Sequence, residues 1–318
     1  MRRRWRIGLA IFGGLVVLGA SVSILGNRAA DKRRVELAAQ SLLAETRHGP
    51  IEYVSWGEGP PVLVIHGAGG GFDQGRLLAE AMGGDGHRFI SVSRFGYLGS
   101  VMPSDPSTAA QAEAILDLLD RLGIERASII AMSGGVPPAL KLAEMFPERT
   151  DRLVLLSSAP FTPFSPEIEE RPIPTWAYST LLGNDAIYWA LTIAAPGQLR
   201  GAFDARPDLL DALPADEVEF VDQLVDGFLP ASDRLAGVAN EGAAVDPAAT
   251  YKLEAIRAPT LAIHTRDDNL NPFVIAEEMA QRIPGARLVA FDQGGHLLLG
   301  HHAELRVEIH RFLQSEGR

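Results

Sequence analysis

From residue 51 onward, short apolar runs almost free of charge alternate with segments whose apolar residues recur every three to four positions, and few folds accept that alternation. The runs IEYVSW (51–56), PVLVI (61–65), FISVSR (89–94), ASIIAM (127–132), RLVLLSSA (152–159), TLAIHT (260–265) and ARLVAF (286–291) predict strands. PVLVI is apolar throughout, as a central strand covered on both faces would be. Residues 107–122 place Ala114, Leu118, Leu119 and Leu122 on one helical face, and further helices are predicted over 135–146, 273–282 and 302–314. Such alternation implies an α/β fold with a mostly parallel, doubly wound sheet. It fails between residues 161 and 250, where Pro-rich and acidic stretches surround helical pieces such as TWAYSTLLGNDAIYWALTIAA. An inserted helical lid is expected there, between a first core part at 51–160 and a second at 251–318. It follows a strand's carboxyl end, the side on which open α/β sheets bind ligands.

The chain's 318 residues open with MRRRWR, carry no charge from residue 7 to 26, and continue NRAADKRR. At about 1.5 Å per residue such a run reaches about 30 Å, the hydrocarbon thickness of a bilayer. A membrane-spanning signal anchor is therefore expected at 7–26, with a linker helix at 27–50. The rival is a cleaved signal peptide, which would leave a secreted or periplasmic protein. Against it, the run exceeds the usual length of such peptides and no A-x-A site follows. Arg2, Arg3, Arg4 and Arg6 precede the span, while Arg28, Lys32, Arg33 and Arg34 follow it. The tighter leading cluster favours a cytoplasmic N-terminus, with the main domain outside. A net charge of -11, from 40 acidic and 29 basic residues, argues against a nucleic-acid partner. The lack of cysteine excludes disulfides, thiolate zinc sites and a cysteine nucleophile.

Residues 129–140, IIAMSGGVPPAL, place Ser133 at a strand-to-helix turn. It reads equally as a capping serine or as a nucleophile on a strained elbow of the G-x-S-x-G kind, with Ala131 at the first glycine position. A nucleophilic hydroxyl needs a base, and the base needs an orienting acid. LAIHTRDDNLNP sets Asp267 and Asp268 just past one strand, and LVAFDQGGHLLLG sets His296 just past the next. Singly each is an ordinary loop residue. Together, at strand ends in the order serine, aspartate, histidine, they predict a catalytic triad. HGAGGG (66–71) follows the strand VLVI and lacks the lysine and serine or threonine of a phosphate-binding loop. Its glycines would let backbone amides approach a substrate.

These segments resemble the α/β-hydrolase family over residues 51–314, which implies a serine hydrolase. TRDDNLNP is similar to the family's G-x-x-D-x-x-x-P, with Thr265 in the glycine's place, which selects Asp268 over Asp267 as the acid. The family's GGH selects His296 over His301 and His302 as the base. The resemblance also implies oxyanion donors at Gly134 and at Ala68 or Gly69, and a structural role for His66. SRFGYLGS (93–100) is similar to D-x-R-G-x-G-x-S, with Ser93 and Phe95 as departures, and implies that Arg94 belongs to the scaffold. No metal or organic cofactor is expected. The expected partner is a small acyl substrate, apolar because the lid carries Trp176, Tyr178, Tyr188 and Trp189. Ester cleavage is the first expectation. Hydrolysis of a carbon–carbon bond in a dienoic acid, of an amide or peptide, or a perhydrolase reaction are alternatives on the same triad. A ligand receptor without catalysis is the reading of another class.

Overall fold

The sheet explains most of what the sequence implies. A computed structural model describes residues 2–165 and 183–315, without the side chains at 2–4 and 6–11. Its strands are β1 (Leu42–Thr46), β2 (Gly49–Trp56), β3 (Pro61–Ile65), β4 (Arg88–Val92), β5 (Ala127–Met132), β6 (Thr150–Leu156), β7 (Thr260–Thr265) and β8 (Arg287–Phe291). They form one eight-stranded sheet in the order β1-β2-β4-β3-β5-β6-β7-β8. The first two strands pair antiparallel, as do β2 and β4, and the remaining neighbours are parallel.

Alternate residues of the central strands feed two cores. Leu63, Ile65, Ile90, Ile129 and Leu155 face one layer, which includes Leu118 of α3 (Thr108–Arg121), Leu140 of α4 (Val136–Met145) and Ile275 of α10 (Val274–Arg282). Val62, Val64, Ile130 and Val154 face the other, with Leu78 of α2 (Phe72–Met82) and Leu305 and Ile309 of α11 (His302–Gln314). Covering both faces is what permits strands without polar alternation. Ser107 caps α3 by accepting from the amide of Ala110 at 3.2 Å.

Two elements depart from the sequence reading. The helix α1 (Arg2–Ala38) takes in the apolar run but stops well short of residue 50. Leu42–Thr46 is strand β1, paired from Leu42↔Tyr53 to Thr46↔Gly49, so the expected linker helix at 27–50 is corrected to a helix end plus an edge strand. LLAET carries no β-branched residue before its last position and gives little strand signal of its own; pairing with β2 supplies the structure. The second departure is α2, which begins directly after the glycines of HGAGGG.

Residues 183–250 interrupt the strand alternation with α5 (Asp185–Ala194), α6 (Pro196–Ala202), α7 (Pro207–Leu210), α8 (Ala215–Asp226) and α9 (Leu235–Ala239). Trp176 and Tyr178 of the expected lid lie outside the described residues. Tyr188 is buried, stacks on Phe228 at 5.2 Å and donates its hydroxyl to the carbonyl of Val225 at 2.7 Å; Trp189 packs against the same cluster.

Candidate active site

Ser133 leaves β5 with φ of +51°, a left-handed conformation that costs a residue with a Cβ on the order of 1–3 kcal/mol. The neighbours make the turn possible. A Cβ on Gly135 would lie 2.6 Å from the carbonyl oxygen of His66 and closer still to that of Ile65, so only glycine lets α4 start against β3. A Cβ on Gly134 would collide with the carboxylate of Glu241. Ala131 is wholly buried and fits without strain at the position where a third glycine is usual. The obstacle at Gly135 is backbone, which cannot rotate away. Gly135→Ala is therefore expected to lower the unfolding free energy by about 2–3 kcal/mol, measurable as a reduced urea midpoint with unchanged slope.

The loops after β7 and β8 bring the acid and the base together. Asp268 Oδ2 accepts from His296 Nδ1 at 2.9 Å, and Oδ1 accepts from the amides of Leu270 and Asn271 at 2.8 and 2.9 Å. His264 Nε2, which faces both the Asn271 carbonyl at 3.0 Å and Asp268 Oδ2 at 3.2 Å, must carry its proton there and is a further donor to the acid. Burial works against the ionised carboxyl of Asp268, but the charge of His296 and the hydrogen bonds from His264 and His296 outweigh it and hold the group well below the usual carboxylate range. Burial likewise depresses the His296 imidazole, and the charges of Asp268 and Asp204 reverse this, leaving its pKa raised. With Nδ1 protonated toward Asp268, the other ring nitrogen is the acceptor. His296 and Ser133 line one cleft with His66, Gly67, Ala68 and Met132.

Asp267 turns elsewhere. It accepts from the amide of Gly295 at 2.9 Å and pairs with Arg206. His301 bonds the carbonyl of Gln293 and stacks on Phe291, and His302 bonds the carbonyl of Leu297. The register that selects Asp268 and His296 thus coincides with the pair that meets.

The glycine-rich loop divides its amides. Gly69 donates its N–H to Tyr97 Oη at 3.2 Å, so this expected oxyanion donor is committed to the scaffold; of the two expected loop donors, Ala68 is the one that lines the cleft. His66 is wholly buried. Its Nε2 accepts from the amide of Arg94 at 3.0 Å and its Nδ1 donates to the carbonyl of Gly67 at 2.6 Å. Burial and the nearby Arg94 push its pKa well below the ordinary histidine value, so it is a neutral strut and not a base. Arg94 donates to the carbonyl of His66 at 3.0 Å and pairs with Glu241.

Sequence reasoning missed His264 and three further contributors. Asp204, buried with φ of +61°, accepts from the amide of His296 at 3.0 Å and from the amide of Asn269 at 3.1 Å, tying the base loop to the acid loop. Glu241 bonds Arg94 and Tyr97 behind Gly134. Asn271 donates to the carbonyl of Ser157 at 2.9 Å and, over a long 3.4 Å, to Ser133 Oγ. The one available signal was Arg94: an arginine at the end of a central strand needs a buried carboxylate partner.

Residues 60–303 match the family model described as alpha/beta hydrolase fold. Among curated proteins, the chain is 31% identical over 263 residues to a 2-hydroxymuconate semialdehyde hydrolase of Pseudomonas putida, covering 78% of this chain and 84% of that protein. It is 27% identical over 263 residues to a 2-hydroxy-6-oxononadienedioate/2-hydroxy-6-oxononatrienedioate hydrolase of Paraburkholderia phymatum, covering 80% and 87%. Among solved structures, an alpha/beta hydrolase fold protein from Nakamurella multipartita superposes with a TM-score of 0.71 at 26% identity, over 86% of this chain and 99% of that one.

Proposed function

We propose, from the premise that this chain belongs to the α/β-hydrolase fold family, that it hydrolyses a carbon–carbon bond beside a carbonyl in a small conjugated substrate. The observation that carries this is the relative 31% identical over most of both chains. A muconate semialdehyde is an unbroken carbon chain with neither ester nor amide, so a hydrolase acting on it has to divide carbon from carbon. That favours the carbon–carbon alternative over the ester cleavage expected first, and the hydrolase activity of the relatives sets aside a receptor without catalysis.

In this reading Ser133 Oγ attacks the carbonyl carbon as His296 takes its proton, and Asp268 keeps the imidazole in the accepting tautomer. The amides of Ala68 and Gly134 hold the oxyanion, each worth about 3–4 kcal/mol in the transition state. Collapse breaks the bond to the neighbouring carbon. The electron pair is accepted by the 2-oxo group of the substrate's keto tautomer, formed beforehand by transfer of the 2-hydroxyl proton to the carbon beside the attacked carbonyl, and the proton on His296 goes to the dienolate that leaves. Water, deprotonated by His296, then cleaves the acyl-enzyme to the free acid. Phe203, Phe220, Leu224, Met132 and Leu297 line the cleft and supply an apolar seat for the acyl side. The described part of the insert, residues 183–250, is read as the lid over this seat.

The test compares 2-hydroxymuconate semialdehyde, followed by loss of its dienolate absorbance, with p-nitrophenyl esters of graded chain length. The proposal expects kcat/KM on the dienoate to exceed that on the best ester by at least about tenfold. The reverse ratio would return ester cleavage to first place.

The N-terminal helix is read as a membrane anchor, with the N-terminus cytoplasmic and the catalytic domain outside. The helix over Phe12–Ala38 is long and apolar enough to cross a bilayer: its most apolar 18-residue stretch has a mean hydropathy of 1.3, and 6% of that stretch is buried. Residues 26, 30 and 37 are buried against the body of the protein, so a cleavage that removed the helix entirely would also remove packing.

A further inference from the structure

The anchor and the catalytic body are not joined by a tether. Leu25 is 49% exposed, and the residue after it is already in the interior: a Cβ on Gly26 would lie 2.5 Å from the Cα of Ala186, in the first turn of α5. One turn further on, Ala30 is fully buried in the cluster that holds Tyr188 and Phe228. Arg34 then pairs with Asp185 at 2.6 Å and with Asp233 at 2.8 Å, and Arg33 with Asp73 at 3.1 Å. Leu37 packs with Val54 and Phe72. A single helix therefore passes from exposed apolar surface into the domain within about one residue, with no hinge to let the two move apart.

That continuity fixes what lies beside the span. Wherever the apolar length of α1 ends, α5 begins, and α5 turns apolar side chains outward: Ile187 is 38% exposed and Ile193 is 64% exposed. We propose that α5 seats against the bilayer, with Ile187 and Ile193, on adjacent flanks of the helix, entering the interfacial layer of the membrane that α1 spans. This rests on the anchor reading above. The occupant is the lipid bilayer, because α5 starts beside the point at which the exposed apolar length of α1 ends. It holds one end of the insert at the membrane surface, and Tyr188 of α5 stacks on Phe228, which in turn meets Phe203 of the cleft at 5.8 Å.

The chain has no cysteine, so one introduced thiol reports one place. Full-length Ile193→Cys, labelled with the environment-sensitive fluorophore NBD, is reconstituted into mixed phosphatidylcholine and phosphatidylglycerol vesicles. Glu125→Cys, beside the amino end of β5 and opposite the edge that carries Ser133, serves as the remote control. Vesicle flotation tests the anchor separately. The expected result is flotation of both proteins, with blue-shifted emission at position 193 quenched at least about twofold more by spin-labelled lipid than at position 125. Flotation with equal quenching at the two positions overturns the seating and leaves the anchor standing. A blue shift at 193 without lipid quenching means a second copy covers the face and also overturns it. Failure to float overturns the anchor and this proposal together.

Discussion

Replacing Ser133 by alanine is expected to lower kcat by roughly 10⁵- to 10⁶-fold while leaving KM within about threefold, the pattern left when a nucleophile is lost and binding is kept. The hydroxyl sits on a turn whose shape is set by others. Gly135 admits the close approach of α4 to β3, and the amide of Ala159 donates to the carbonyl of Ser133 at 3.3 Å. Alanine meets the same φ of +51° with a Cβ already in place, so the elbow neither gains nor loses strain and stability should change by less than about 1 kcal/mol. On the proposed mechanism, stabilisation by the amides of Ala68 and Gly134 and the apolar seat survives, and a residual rate above that of water is expected. Pre-steady-state turnover and labelling by a fluorophosphonate read the result directly. A loss of less than about tenfold, or undiminished labelling, would remove Ser133 from the nucleophile's role.

Why the sequence discloses some of this site and not the rest follows from where each residue stands. Ser133, Asp268 and His296 each follow an apolar run that reads as a strand, buried in β5 and β7 and half-exposed at the sheet edge in β8, so these strands carry them to one end of the sheet before any side-chain contact is known. The choice between adjacent Asp267 and Asp268 is different. Neighbouring residues in a loop face opposite ways for reasons of backbone geometry that composition does not record, and only family register points to the one that meets His296. The same holds for the amides of HGAGGG: the hydroxyl of Tyr97 takes up Gly69, and nothing in a run of glycines says which amide a distant tyrosine will claim. Asp204 and Glu241 come from the insert, where spacing follows no period and acidic residues are common. They become special only when the insert folds back onto His296 and Arg94. Strand β1 escaped because LLAET continues a charged helical pattern and gains its structure from β2. Local pattern thus reveals strand ends; long-range closure hides the groups that brace them.

Asp268→Asn is expected to lower kcat by about 10⁴-fold and to shift the acid limb of the pH profile downward, for two separable reasons. The first is tautomeric. The carboxylate accepts from two backbone amides through Oδ1 and from His296 and His264 through Oδ2. Asparagine has one acceptor oxygen. If that oxygen keeps the backbone amides, its NH₂ points at His296 and favours the ring with its proton on Nε2, which cannot receive the proton of Ser133. The second reason is charge. The imidazole must be neutral to act as base, and Asp268 together with Asp204 raises its pKa against the effect of burial. In the native enzyme the rate should therefore fall as pH drops through a value above the ordinary histidine figure of about 6.5. Removing one of the two charges lets burial prevail, so the surviving activity should persist to lower pH. A neutral packing role for Asp268 would lower the rate without moving the limb. Profiles of kcat/KM against pH for both proteins distinguish the two, and an unmoved limb in the variant would sink the assignment of Asp268 as the partner that charges His296.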